Sequence, residues 1–191
     1  MVQLTSIAFL FSSIISLANN HLLSFPLDTI PKNNKVKLLK PPSKVLYTTK
    51  VLHPFSDINK KNSFCLTLTG KSVVSGKITF EIYDFNKRLI HNESFDASGL
   101  LGDEGEVIPV KVQPDTIITR MKRFFNKENF IKPAIKMAKK FDPDYSDKII
   151  WSEINSNKSA IGFLYAHGYE GSYAIAYSRK NKKAVCYYSS D

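Results

Sequence analysis

Residues 77–95 read KITFEIYDFNKRLIHNESF, and the rest of the chain can be placed around this segment. Its first half alternates polar residues with the apolar residues Ile78, Phe80 and Ile82, which is the period of a strand with one buried face. Residues 84–87 include Asp84 and Asn86, which favour a turn, and a second strand is expected over 88–95. The segment therefore predicts an antiparallel β-hairpin.

Similar alternation predicts strands on both sides of the hairpin. Before it, strands are expected at 45–51 and 64–69. After it, strands are expected at 148–154, 160–167, 171–178 and 184–188, joined by short polar turns. Short connections favour antiparallel neighbours, so the last four strands are expected to form a meander.

Between these two groups the apolar period changes to that of a helix. One stripe consists of Ile117, Ile118, Met121, Phe124 and Phe125. A second stripe consists of Phe130, Ile131, Ala134, Met137, Ala138 and Phe141, with lysines opposite it and Pro133 in its first turn. These stripes predict a central pair of amphipathic helices.

The order of strands, helices and strands predicts an α+β fold. We expect one antiparallel sheet, built from the N-terminal strands and the C-terminal meander and packed against the helix pair. The whole of 44–191 is expected to be a single domain, because its length is typical of one hydrophobic core.

The N-terminal residues 1–18 are uncharged, and their apolar run is too short to span a bilayer. They end in Ser16-Leu17-Ala18, small residues suited to cleavage, so we interpret them as a signal peptide of a secreted or periplasmic protein. An ordinary buried helix is the alternative, because no basic residue precedes Lys32. Residues 19–43 contain four prolines and several lysines and predict an extended arm. No transmembrane segment is expected.

The chain carries 27 basic and 17 acidic residues, a formal net charge of +10. The basic residues concentrate at 32–50, 120–140 and 179–183. This balance favours a partner that is a protein or an anionic macromolecule, although a solvated lysine surface would also explain it. No motif for specific nucleic-acid recognition is evident.

The two cysteines, Cys65 and Cys186, fall on separate predicted strands. In an oxidising compartment two such thiols can form a disulfide, but a free cysteine also packs as a small apolar residue. The sequence leaves both alternatives open.

The residues most suggestive of a site surround His167. Strand parity places Tyr165 and His167 together, Tyr173 lies on the next strand, and the turn between contributes Tyr169 and Glu170. Tyrosines around a histidine and a carboxylate can bind a small polar ligand. An aromatic sheet face covered by helices is the alternative interpretation.

One stretch resembles a calcium loop in part. Asp142, Asp144, Ser146 and Glu153 occupy its positions 1, 3, 5 and 12. Position 6 is Asp147, where a glycine is required for the sharp turn. A connection rich in Asp between two elements explains the same residues.

No nucleophile motif, phosphate-binding glycine loop, zinc motif or cofactor signature occurs in the sequence. We therefore expect an exported, non-enzymatic binding domain with no cofactor, for which an inhibitor- or immunity-like role is one possibility. The alternatives are a small secreted hydrolase with its site around His167 and calcium binding through 142–153.

Export is directly testable. We expect the chain recovered from the periplasm or medium to begin at Asn19, because a peptidase would cut after Ala18. Intact mass and N-terminal sequencing measure this. A cytosolic chain that still begins at Met1 would contradict the signal-peptide interpretation.

Overall fold

The computed structural model describes residues 43–137, 139–168 and 171–190, apart from the side chains of 104–106. The predicted signal peptide at 1–18 and all but the last residue of the arm at 19–43 lie outside the described residues. The described part contains eight strands, two α-helices and two 3-10 turns. No described helix has the length and apolarity required to cross a membrane.

The first sheet holds four antiparallel strands in chain order. They are β1 (Val45–Asp57), β2 (Lys60–Thr69), β3 (Lys77–Tyr83) and β4 (Leu89–Asp96). The predicted hairpin is confirmed as β3 and β4, and Ile78, Phe80 and Ile82 are fully buried. The Asp84 carboxylate accepts hydrogen bonds from two backbone N–H groups of the hairpin turn, so the turn chemistry is also as expected.

The connection to the second sheet contains a 3-10 turn (Ala97–Glu106), α1 (Gln113–Arg123) and a shorter 3-10 turn (Lys127–Asn129). The first predicted helix is confirmed as α1, with Ile117 and Met121 buried. It begins with Pro114 in its first turn, where a missing N–H group costs nothing. Phe124 and Phe125 follow directly after it and are also buried.

The second sheet is again four-stranded and antiparallel. It contains β5 (Phe130–Ile131), β6 (Gly162–Ala166), β7 (Ser172–Ser178) and β8 (Lys183–Ser190), in that order. The α+β class and the antiparallel strands are therefore confirmed, but the expectation of one sheet is wrong. The strands before and after the helical connection form separate sheets because their apolar faces pack against each other.

The predicted second amphipathic helix, over 130–141, is wrong. Phe130 and Ile131 pair with β6, and the chain then runs without helix through the described residues up to 141. Pro133 contributes to this result, because it disfavours the α conformation at Lys132, and the pairing with β6 holds Phe130 and Ile131 in a strand. Met137, predicted on the apolar stripe, is 90% exposed.

The predicted strand at 148–154 is also wrong, because these residues belong to α2 (Lys148–Ser156). The Asp147 carboxylate accepts hydrogen bonds from the N–H groups of Ile149 and Ile150, both at 2.9 Å, and so caps the helix. Ile150, Trp151 and Ile154 then pack together at helical spacing.

The main core lies between the two sheets. Phe64 and Phe80 of the first sheet and Phe163 of the second are fully buried, and the ring of Phe163 lies 5.5 and 5.6 Å from the other two rings. A smaller core on the opposite face of the second sheet includes Ile135 and Ile154. The second sheet is therefore covered on one face by the first sheet and partly covered on the other by α2 and the segment that follows β5.

The two cysteines are free thiols. Cys65 alternates with buried Phe64 and Leu66 and so lies on the outer face of the first sheet. Cys186 is exposed, and it pairs with Ile175 on the adjacent strand of the second sheet. The two thiols lie on strands of different sheets, and the structure contains no disulfide between them.

Candidate functional site

A carboxylate lies on the apolar inner face of the first sheet. His91, Glu93 and Phe95 of β4 lie opposite Ile82, Phe80 and Ile78 of β3. Because side chains alternate along a strand, Glu93 projects with its two neighbours toward the second sheet. Its side chain is 26% exposed, so most of its surface is removed from water.

Three side chains contact this carboxylate. The Tyr165 hydroxyl donates a hydrogen bond of 2.6 Å to Oε2 of Glu93, and Nε2 of His167 lies 2.7 Å from Oε1. An ionised carboxylate only accepts, so Nε2 of His167 carries the proton in this contact. Nε2 of His91 is buried 3.4 Å from Oε2 and forms no hydrogen bond with a described residue.

These contacts determine the charge states of Glu93 and Tyr165. Burial raises the pKa of Glu93, but the contacts from His167, His91 and Tyr165 outweigh it and hold the pKa far below its ordinary value. Burial, together with the hydrogen bond to Glu93, raises the pKa of Tyr165 well above its ordinary value. At neutral pH the site is therefore an ionised carboxylate bound by a protonated phenol and an imidazole.

The His167 ring is fixed on both faces. It stacks on Phe95 at 4.2 Å between centroids, with 4° between the planes, and on Tyr173 at 4.7 Å and 19°. Its side chain is 15% exposed. The ring is thus held in one orientation by two aromatic neighbours and a carboxylate.

A cavity of about 410 Å³ adjoins His167. Its lining includes Gly99, Gly102, Asp103, Arg120, Gly168 and Ser172. Nη1 of Arg120 donates to the carbonyl oxygens of Leu100 and Leu101, both at 2.8 Å, and holds one wall. The N–H group of Gly168 donates to the Gly99 carbonyl at 3.0 Å, and a Cβ on Gly99 would lie only 3.1 Å from that nitrogen.

A second cavity, larger and more apolar, lies on the opposite face of the second sheet. We call it the outer groove; its volume is about 800 Å³. Consecutive residues 164–166 of β6 and 172–174 of β7 line it, so these strands are its floor. The Tyr165 and Tyr173 rings point into the core, which leaves Leu164, Ala166, Ser172 and Ala174 to face the groove.

The walls of the outer groove come from β8 and from the segment after β5. Nζ of Lys139 lies 3.5 Å from the centroid of the Tyr188 ring, and Lys136 lines the groove beside it. The Tyr187 hydroxyl donates to the Ala134 carbonyl at 2.7 Å and closes another part of the wall. The described residues that line the groove include two lysines and no acidic residue.

The structure brings together three of the five residues predicted around His167: Tyr165, His167 and Tyr173. The other two, Tyr169 and Glu170, lie outside the described residues. Sequence reasoning missed Glu93 and His91. The available signal was parity, because both share the inward row of Phe95 in the predicted hairpin.

The residues of the calcium alternative have other partners. Asp142 accepts a hydrogen bond from the N–H group of Asp144, and the Ser146 hydroxyl donates to the Tyr187 carbonyl. The Glu153 carboxylate accepts from the Ser178 hydroxyl at 2.8 and 2.9 Å. Across the described ranges, no group of three or more His, Cys, Asp or Glu residues could hold a metal ion.

Comparison with protein-family models, with curated proteins and with solved structures finds no match to this chain. Any functional proposal therefore depends on the geometry of the chain's own residues.

The carboxylate cluster makes a prediction about stability. We expect Glu93→Gln to lower the free energy of unfolding by about 2–4 kcal/mol at pH 7, because Tyr165 and His167 lose an ionised hydrogen-bond acceptor and His91 loses the negative charge beside it. The folded-state pKa is lowered, so this contribution is present above the unfolded pKa of about 4.3 and is lost as pH falls below it. Urea unfolding of both proteins at pH 7, 4 and 3 measures the difference.

Glu81→Gln is the matched control, since Glu81 lies on the adjacent strand and alternates with the buried residues. Its effect should stay within about 0.5 kcal/mol. A Glu93→Gln effect that is equally small, or that persists unchanged at pH 3, would contradict the assignment of an ionised, stabilising carboxylate.

Proposed function

We propose that this protein is an exported, non-enzymatic binding domain whose partner is anionic and carries an apolar portion. The observation that carries the proposal is the outer groove, an apolar cavity of about 800 Å³ with two lysines in its lining. Cavities of this size, mostly apolar with a few polar groups, are typical of ligand sites. An inhibitor- or immunity-like role is one form that such binding could take.

The carboxylate cluster supports a non-enzymatic role. Both oxygens of Glu93 are engaged, one by His167 and the other by Tyr165. The cluster joins residues from the two sheets, so its contacts have a sufficient explanation in the packing of the fold. A carboxylate that acts as the general acid or base must lie within hydrogen-bond reach of the substrate, and neither oxygen of Glu93 is free for that contact.

Charge supports an anionic partner. The chain has a formal net charge of +10, and Lys136 and Lys139 belong to the basic region at 120–140 noted in the sequence. Such a field raises the rate at which anions encounter the surface, and the apolar lining supplies binding energy after contact. Neither the positive charge nor the apolar lining would select one nucleic-acid sequence over another.

The proposal is tested with 1-anilinonaphthalene-8-sulfonate, an anion with apolar rings. We expect the full chain to enhance its fluorescence at neutral pH and Leu164→Glu to lower the apparent affinity at least tenfold, because a carboxylate then faces the groove. Leu52→Glu is the matched control, because Leu164 and Leu52 are both exposed strand residues, with exposed fractions of 38% and 59% respectively. Its affinity should equal that of the native chain.

Circular dichroism and thermal melting establish that both variants fold. Equal binding by the native chain and folded Leu164→Glu would place the dye elsewhere and contradict the proposal. Absence of enhancement by the native chain would contradict it as well.

A hydrolase centred on His167 is the second candidate. The observation that favours it is that a carboxylate holds the imidazole at the edge of the 410 Å³ cavity. With Nε2 bound to Glu93, Nδ1 remains to accept a proton from a water molecule in this cavity. Glu93 would act as a positioning residue.

The two candidates differ in the effect of His167→Asn on the hydrolysis of a chromogenic short-chain ester. General-base catalysis predicts a fall of about 100-fold or more. The binding proposal instead predicts the same background rate for the native chain and for His167→Asn. His53→Asn serves as control, because His53 stacks on Phe130 and is absent from the described lining of this cavity.

A further inference from the structure

We infer that the outer groove binds a single long-chain carboxylate, with its acyl chain on the strand floor and its carboxylate at Lys136 and Lys139. The inference rests on the proposed binding function and names its ligand class. Shape, hydrogen-bonding capacity and charge each support it.

The shape of the outer groove suits a slender ligand. Three of the four side chains that face it from the floor, those of Ala166, Ser172 and Ala174, are small. Small side chains on adjacent strands leave depth above the sheet, while Leu164 and Tyr188 rise beside it. The volume of about 800 Å³ lies within the range of small-molecule sites.

The floor offers little hydrogen bonding. β7 lies inside its sheet, and Ser172, Tyr173 and Ala174 pair with β6 on one side and with β8 on the other. Its backbone groups are therefore engaged. An acyl chain requires no hydrogen bonds along its length, whereas a bound peptide would leave polar backbone groups unpaired over such a floor.

Both cationic residues line the outer groove, and the backbone N–H group of Lys139 donates to the Lys136 carbonyl at 2.9 Å. Lys136 and Lys139 come from one segment, and the ring of Tyr188 positions the ammonium group of Lys139. The Tyr187 hydroxyl is already bonded to the Ala134 carbonyl, so it is not a competing anchor. Two ammonium groups beside an apolar floor match one carboxylate on one aliphatic tail.

The experiment measures binding of hexadecanoate to the full chain by isothermal titration calorimetry, below the concentration at which the ligand forms micelles. We expect hexadecanoate to bind at least tenfold more tightly than hexadecanol. Shortening the acid should weaken binding about fourfold per methylene removed, until the tail no longer fills the groove.

Charge is tested with the double variant Lys136→Gln/Lys139→Gln, which should weaken hexadecanoate binding about tenfold and leave hexadecanol binding unchanged. Lys136→Arg/Lys139→Arg keeps both charges and should retain binding. Lys50→Gln/Lys77→Gln is the matched control, because both lysines are exposed on strands of the first sheet and neither belongs to the described lining of the groove. Leu164→Glu should abolish binding of both ligands.

Failure of the long-chain carboxylate inference and failure of the proposed binding function give different results. Equal affinity for the acid and the alcohol, or no effect of the double glutamine variant, overturns the carboxylate assignment. If hexadecanoate does not bind but an acidic amphipathic peptide or an anionic phospholipid vesicle binds in a Leu164-dependent way, the inference is wrong and the proposed function stands. If none of these probes binds and the dye does not respond, both fail.

Discussion

The contact between the Glu93 carboxylate and the imidazole of His167 is the interaction on which the relation between the two sheets depends. It is the point at which a charge enters an otherwise apolar layer, and an unpaired charge there would cost several kcal/mol. The fold meets this cost with donors from the opposite sheet, Tyr165 and His167. The contact between Phe80 and Phe163 buries apolar surface, whereas the hydrogen bonds to the carboxylate fix the orientation of one sheet relative to the other. Apolar contacts are not directional, so they allow one sheet to shift over the other. Two hydrogen bonds to one carboxylate are directional and would break with such a shift.

The same contact constrains how the site can be interpreted. A histidine held by a carboxylate suggests proton transfer when it is considered alone. Here the histidine is also held between Phe95 and Tyr173, and the carboxylate has no oxygen without a partner. The open apolar volume lies on the other face of the second sheet, where the lining charges belong to lysines. We therefore propose function at the outer groove, where open apolar volume adjoins cationic side chains, and assign a structural role to the cluster, where both carboxylate oxygens have partners.

The elements that could be predicted from sequence are those whose periodicity agrees with their tertiary environment. The hairpin and α1 met that condition, since each buries a single face. The segment at 130–141 has helical apolar spacing, but Pro133 disfavours the α conformation at Lys132, and Phe130 and Ile131 pair as a strand. In 148–154, Ile150, Trp151 and Ile154 have the spacing of one helical face, but the segment also reads as a strand because isoleucine is β-branched.

Part of the site was predictable for the same reason. Tyr165, His167 and Tyr173 come from adjacent strands, so parity alone groups them. Glu93 and His167 are 74 residues apart in the chain and belong to different sheets, and no local pattern joins them. The outer groove depends on the path of an irregular segment, which periodicity does not determine.

The alternation along β6 and β7 has an evolutionary consequence. Leu164 and Ala166 face the outer groove, while Tyr165 and His167 face the carboxylate, so the two regions are opposite sides of one pair of strands. An insertion of one residue in either strand would exchange the two sets of side chains. Point substitutions can therefore diversify the groove without disturbing the cluster, whereas length changes cannot. In related chains, we expect these two strands to keep a fixed length while their groove-facing residues vary.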